Sequence, residues 1–223
     1  MQTHFDQELG ELKNRLLTMA SHAEAAVTNA VKALMDRDDE LAQKVSEDDE
    51  ILDQFEKEID EMAIQLLSKA PLAIDLRLIT VAMKVSQNLE RVGDEAAKIA
   101  RRARDLNQEP QLKPWVDIPN MAGIALGMLK GALDSFVQRD PDKARTIIPR
   151  DKEVDLLNKQ LHRELASYMV ENPSTITRCL NLMVISKRLE RIADHATNVA
   201  EEVVYLCEAR DIRHAGRKTD AAA

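Results

Sequence analysis

Residues 89–96 read LERVGDEA and residues 189–196 read LERIADHA, nearly the same eight letters at an offset of 100. Other pieces follow in the same order. RDDELA (37–42) returns as RDPDKA (139–144), Asp49 and Asp53 return as Asp151 and Asp155, and Pro71 returns as Pro173, each at an offset of 102. Matching turns, matching acids and a matching closing motif in one order mark an internal duplication. Whatever one half folds into, the other half folds into as well.

The apolar rhythm says what that unit is. Leu78, Ala82, Val85, Leu89, Val92, Ala96, Ile99 and Ala103 step by four and three, and Leu182, Ile185, Leu189, Ile192, Ala196, Val199, Val203 and Leu206 do likewise. Alternating steps of four and three lay one stripe along an α-helix and favour nearly aligned, left-handed packing. Three long helices per half are predicted. The first half gives 5–36, a second helix from Asp39 to just before Pro71, and a third to about 106; the second half gives 118–138, 141–171 and 174–209. Asp and Glu near residue 39 supply capping and first-turn acids, and Pro141 follows an Asp cap at a first helical position. Pro110, Pro114 and Pro119 fall within fourteen residues, and proline cannot continue a helix, so no helix crosses here. The expected organisation is all-α: a three-helix repeat over 1–109, a Pro-rich linker over 110–119 and a second three-helix repeat over 120–223.

Composition narrows the function classes. Only three Phe, two Tyr and one Trp occur, which suits helix-on-helix cores of aliphatic residues. A net charge of −8 argues against nucleic acid, whose phosphates need a basic face. Cys179 and Cys207 stand 28 residues apart, neither a metal pair nor a disulfide framework, and fit a reducing cytosol. The N-terminal MQTHFDQELGELK lacks the build of a signal peptide, and no run approaches the ~18 apolar residues of a membrane span. A cytoplasmic protein is expected.

Within each half two helices carry an acidic pair. From Leu89 on the stripe, Glu90 falls about 100° and Asp94 about 140° around the helix. Glu190 and Asp194 take the same angles from Leu189, while Asp49 and Asp53 flank Leu52 and Asp151 and Asp155 flank Val154. Like charges four apart repel and cost a helix about 0.2–0.5 kcal/mol. Lys98 offsets Asp94 in the first half, but Asn198 takes its place in the second. A single such pair is a common solvated surface. Repeating it at four equivalent positions calls for a cation, and carboxylates without Cys suit Mg²⁺, Mn²⁺, Ca²⁺ or iron.

At these residues the chain resembles the PhoU family over essentially its full length. The likeness rests on the duplicated unit, DLRLITVAMKVSQNLERVGDEAAKIA (75–100), RLERIADHATNVAEEV (188–203), HFDQELGELK (4–13) and ARDIRHAG (209–216). It implies a non-enzymatic cytoplasmic regulator, often a homodimer, that acts when phosphate is plentiful. The implied partners are the sensor histidine kinase of the phosphate regulon and the phosphate-specific ABC transporter with its ATPase subunit, whose uptake it limits. The family's E/DxxxD motifs bind metal, which carries over to Asp49, Asp53, Glu90 and Asp94 and to Asp151, Asp155, Glu190 and Asp194. The occupants implied are iron, manganese, magnesium or zinc, their identity open. Ala193 for Gly93, His195 for Glu95, Asn158 for Glu56 and His162 for Asp60 make the two sites unequal.

Other residues have plainer readings. His195 turns to the outer face, and a solvated histidine is the default for it and for His162. Arg91 and Arg191 suit solvated or cross-helix salt bridges. RRAR (101–104) reads as the polar face of the third helix, the nine Met as core filling, and Trp115 as packing between the halves. Arg210, Arg213, His214, Arg217 and Lys218 read as a solvated basic tail. A carboxylate-bridged metalloenzyme and a metal-free scaffold remain as alternatives. No His has a Glu three residues before it, and neither a phosphate loop nor a nucleophile–base pair is present, which disfavours the enzyme.

Overall fold

The computed structural model describes residues 4–70, 72–112 and 116–213. Pro71, Pro114, Trp115, His214, Arg217 and Lys218, each given a role above, lie outside the described residues. Among the described residues eight α-helices follow in order: α1 (His4–Asp36), α2 (Asp39–Glu47), α3 (Asp49–Leu67), α4 (Ala73–Asn107), α5 (Asp117–Gln138), α6 (Pro141–Ile147), α7 (Asp151–Glu171) and α8 (Ile176–Glu208). The described residues contain no strand.

The second helix of each half is broken where the sequence predicts one continuous rod. In the first half Asp48 leaves the helix with φ −71° and ψ −6°, and α3 restarts at Asp49. Glu47, Asp48, Asp49 and Glu50 are four consecutive acids, which repel within a helix interior and are favoured at a helix N-terminus. In the second half Ile148–Arg150 tightens into a 3₁₀ turn around Pro149, which lacks the N–H and crowds the preceding turn, and α7 restarts at Asp151. Different chemistry breaks the helix at the same place. Each break starts a new helix on a candidate metal ligand.

The turns into α2 and α6 are also matched. Arg37 and Arg139 sit at φ 55° and 52°, the left-handed region that favours glycine. Each is followed by an Asp cap: Asp38 accepts from the Leu41 amide at 2.9 Å, and Asp140 accepts from Asp142 and Lys143 at 3.0 and 2.9 Å.

Every residue of the two predicted stripes is buried, none more than 2 % exposed. The α1 helix packs on α2, α3 and α4, and α5 packs on α6, α7 and α8. The two bundles also share one continuous apolar core, because α4 lies along α8 and α1 touches α5. Where α4 meets α8, Glu95 of the one and Glu202 of the other are buried along with the stripes. Cross-helix pairs join residue 84 to 202, 88 to 195 and 95 to 188, so α4 and α8 run antiparallel. The pseudo-two-fold that relates the repeats passes near Val92 and Ile192.

On its opposite flank α4 meets α3. A Cβ added to Gly93 would lie 2.1 Å from Leu52 Cδ1 and 3.4 Å from Asp49 Oδ1. The absent side chain is what lets Leu52 seat and brings Asp49 against α4. The second repeat fills the equivalent space with Ala193 and Val154, both buried: one carbon is added on α8 and one removed on α7. Volume is conserved across the exchange, which cores tolerate.

Two outcomes follow. Gly93→Ala should lower stability in denaturant unfolding by about 1 kcal/mol after its gain in helix propensity, and adding Leu52→Val should recover most of the loss. Arg139→Gly should raise stability by about 1 kcal/mol by relieving left-handed strain, since the Arg139 side chain holds no hydrogen bond or ion pair among the described residues. Arg37→Gly should gain less, because Arg37 Nη2 donates to the Glu109 carbonyl at 2.7 Å and ties down the chain after α4.

Candidate functional site

The eight candidate carboxylates gather into two clusters, one per repeat, each between the restarted second helix and the long third helix. In the first, Asp49 and Asp53 come from α3 and Glu90 and Asp94 from α4. Their spacing on each helix puts them on the flank of the buried seam, half-buried except for the exposed Asp53. Glu90 shows the crowding most clearly. Burial, then the charges of Glu56, Asp94, Asp53 and Asp49, push its carboxyl up to about 7. Asp49 is raised by burial and by Asp94 and Asp53, though Arg101 and Lys98 pull the other way.

Glu56 belongs to this cluster although sequence reasoning passed it over as a ligand. It sits at i+7 from Asp49 and i+3 from Asp53, on the same face, and its carboxyl is also raised by burial and by Asp60 and Asp53. That spacing was the available signal. Lys98 closes the other end, donating to Asp94 at 2.9 Å and to Glu95 at 3.1 Å.

In the second cluster Asp151 and Asp155 come from α7 and Glu190 and Asp194 from α8. Partial burial and the charges of Glu190, Asp151 and Asp155 raise Asp194 to about 6. Asp155 is raised by burial and by a proton shared with Glu190. Asn158, at the position of Glu56, is buried and donates to Glu190 Oε2 at 3.2 Å. Behind it Ser186 donates to Asn158 Oδ1 at 2.7 Å, and His162 Nε2 lies 3.1 Å from Ser186 Oγ. Lys187 pairs with Glu190. The first cluster thus holds a fifth carboxylate where the second holds an amide and a lysine beside four.

Among the described residues, no group of three or more His, Cys, Asp and Glu side chains stands in a metal-holding arrangement. The carboxylates are electrostatic neighbours without converging on one point, as mutually repelling groups do.

Two expectations for neighbouring residues change, for His195 and Arg213. His195 does not face solvent: it is half-buried between α8 and α4, with Nδ1 3.1 Å from Asn88 Oδ1. Burial, then Arg91, push it down to about 4, so it is neutral at pH 7. The residue exchanged with it by the duplication, Glu95, is 5 % exposed and accepts from Arg188 at 3.2 Å and Arg191 at 3.5 Å. Arg191 therefore takes the cross-helix salt bridge. Arg213 is exposed, as expected of a tail, but it is tied down: it bonds Asp211 at 2.6 Å and lies 3.4 Å from Glu202, which is also 5 % exposed. Sequence signals for Glu95 and Glu202 were weak because a buried acid looks like any surface acid until its partner helix is known.

Comparison with known proteins settles the family. The PhoU domain family model matches residues 16–103 and 118–203, once per repeat. A PhoU homolog of Pseudomonas aeruginosa, named a phosphate-specific transport system accessory protein, is 42% identical over 214 residues, covering 95% of this chain and 88% of its own. One from Aquifex aeolicus with the same name is 40% identical over 93% of this chain and 95% of its own. The crystal structure of PhoU from Pseudomonas aeruginosa superposes with a TM-score of 0.89 at 41% identity, covering 93% of this chain and all of that one. The phosphate transport system regulatory protein PhoU from Streptococcus pneumoniae gives 0.88 at 29% identity over 94% and 99%. Two copies of one three-helix unit, fused through their third helices and matched along nearly the whole length, make this chain a member of the PhoU family.

Proposed function

We propose that this chain is a non-enzymatic regulator of phosphate homeostasis. It works on the cytoplasmic side as a homodimer, restrains the sensor histidine kinase of the phosphate regulon, and limits uptake by the phosphate-specific ABC transporter through its ATPase subunit when phosphate is plentiful. The observation that carries this reading is the match of both repeats to relatives named as accessory proteins of that transport system. No helix among the described residues is long and apolar enough to cross a membrane, so contact with the transporter would run through protein partners. The exposed flanks of the two acidic clusters, rather than a cleft with a nucleophile, are the chemical features available to such an adaptor.

The clusters themselves are proposed to hold hard or borderline cations: iron, manganese, magnesium or zinc. The donor set fits, being all oxygen and crowded enough that Glu90 and Asp194 resist ionisation. A bound cation would supply the missing positive charge and tie the second helix of each repeat to the third. Asp49, Asp53, Glu90 and Asp94, with Glu56 beside them, would serve the first repeat, and Asp151, Asp155, Glu190 and Asp194 the second. With Asn158 in place of Glu56, the second cluster would favour the less highly charged ion.

The sign of the pH dependence follows from the raised values. In metal-free protein Glu90 ionises near 7 when folded against an ordinary 4.5, so the folded state binds the extra proton between those pH values. Stability should therefore fall as pH rises from about 4.5 to about 7. Glu90→Gln should raise metal-free stability at pH 8 by about 1 kcal/mol after allowing for solvent screening, and change it little at pH 4.5. Manganese or magnesium should raise the melting temperature at pH 8, more than at pH 5, and this gain should vanish in a variant carrying Glu90→Ala, Asp94→Ala, Glu190→Ala and Asp194→Ala. No metal-dependent shift at either pH would sink the cation reading alone.

The regulatory reading has its own test. A deletion strain should express a phosphate-regulon reporter constitutively in abundant phosphate, and the wild-type chain should restore repression. A deletion strain that still represses normally would overturn the proposal.

A further inference from the structure

A cleft of about 690 Å³ opens along the edge of the α4–α8 contact. Lys98, Arg101, Arg102 and Arg104 line it from α4 and Arg188 from α8, with Asp105 as the one acid in the wall. Five cations on one face are unexpected in a chain whose net charge is −8. They are not needed to hold the helix together, since like charges at this spacing cost stability.

Internal pairing accounts for only some of them. Arg102 bonds Asp105 at 3.1 Å, Lys98 bonds Asp94 at 2.9 Å and the buried Glu95 at 3.1 Å, and Arg188 bonds Glu95 at 3.2 Å. Arg101 donates only to the Ala97 carbonyl, at 3.3 Å, and Arg104 only to the Gln43 amide oxygen; neither is hydrogen-bonded to a carboxylate among the described residues, though the Arg101 charge reaches Asp49. The buried Nε of Arg188 has no hydrogen-bond partner among them either.

The duplication provides an internal control. At the opposite edge of the same contact, Lys84 and Glu202 stand where this edge has Val184 and Arg102. Lys84 bonds Glu202 at 3.0 Å, Arg213 approaches Glu202 at 3.4 Å, and Lys84 also lies 5.4 Å from the centre of the Tyr205 ring. That edge is filled and neutralised by the chain itself. On the cleft side the acid has become an arginine, the lysine has become Val184, and the ring has become Asp105.

We propose that this cleft binds an inorganic oligophosphate, a short chain of two or more phosphoryl groups. Guanidinium groups hold phosphate oxygens through paired, charge-assisted N–H donors. The volume lies in the range of a small-molecule site, which leaves room beyond a single orthophosphate. No aromatic ring lines the cleft and Val184 is its one aliphatic residue, so a nucleobase gains no stacking and a peptide finds no apolar pocket. Asp105 holds Arg102 at 3.1 Å, and a ligand phosphate would compete with it. The cleft borders the first acidic cluster, where Lys98 donates to Asp94 and the Arg101 charge reaches Asp49, but its ligand chemistry is the opposite one and it stands or falls apart from the regulatory reading.

The test is titration calorimetry of the full chain, freed of divalent ions, with sodium tripolyphosphate, pyrophosphate, orthophosphate, ATP and an octameric poly-glutamate. Tripolyphosphate should bind at one site per chain, weaken with salt, and bind at least tenfold tighter than orthophosphate and no weaker than ATP. The double variant Arg101→Gln, Arg102→Gln, at two exposed positions, should weaken tripolyphosphate at least tenfold. The charge-matched variant Lys32→Gln, Lys130→Gln, away from the cleft, should leave it within twofold, and circular dichroism should show both variants folded. Equal weakening by the two variants would mean diffuse attraction and overturn the proposal. So would undetectable tripolyphosphate binding, tighter binding of the poly-glutamate, or affinity for orthophosphate equal to that for tripolyphosphate.

Discussion

The antiparallel contact of α4 with α8 governs the rest of the molecule. Each of these helices serves its own three-helix bundle with one face and its partner repeat with the other. On the faces that α4 and α8 turn to each other, Glu95 and Glu202 are both buried. Buried carboxylates are expensive unless paired, and here each has cations from more than one place: Lys98, Arg188 and Arg191 for Glu95, Lys84 and Arg213 for Glu202. Such pairs add little net stability, but they penalise any sliding of one helix past the other. Register is what they specify. Because the acidic clusters sit on the far flanks of α4 and α8, a fixed register also fixes the two clusters relative to each other.

Most of the helical layout was legible in the sequence because it is written in large apolar residues at regular steps. Both stripes are buried at every position, and α1, α4, α5 and α8 begin and end within a few residues of the expected bounds. The breaks in the second helices were not legible. In one repeat the cause is a run of acids and in the other a single proline, and neither interrupts the apolar rhythm. The contact faces of α4 and α8 were hidden for another reason: a buried, paired glutamate reads as any surface acid. The clusters themselves were visible through repetition, since four acidic pairs at matched offsets are hard to attribute to surface composition alone. Glu56 was not, because it has no acidic counterpart in the second repeat to draw notice to it.

Duplication followed by divergence explains why the halves are alike in plan and unlike in charge. Glu95 facing Arg188 on one side becomes His195 facing Asn88 on the other, a charged pair exchanged for a neutral one across the same pseudo-two-fold. The same exchange leaves one edge of the α4–α8 contact neutralised by Glu202 and the other lined with arginine. Asymmetry of this kind gives a nearly symmetric scaffold two distinguishable faces.

The exchange of Gly93 and Leu52 for Ala193 and Val154 also constrains history. Two substitutions separate the pairs, and one had to come first. Alanine opposite leucine would set two carbons about 2.1 Å apart, whereas glycine opposite valine leaves only a methylene-sized void. Whichever pair is older, the passable route runs through the void. Once both steps were taken, the repeats ceased to be interchangeable parts, and a segment of one copied over the other would now arrive with the wrong knob for its hole.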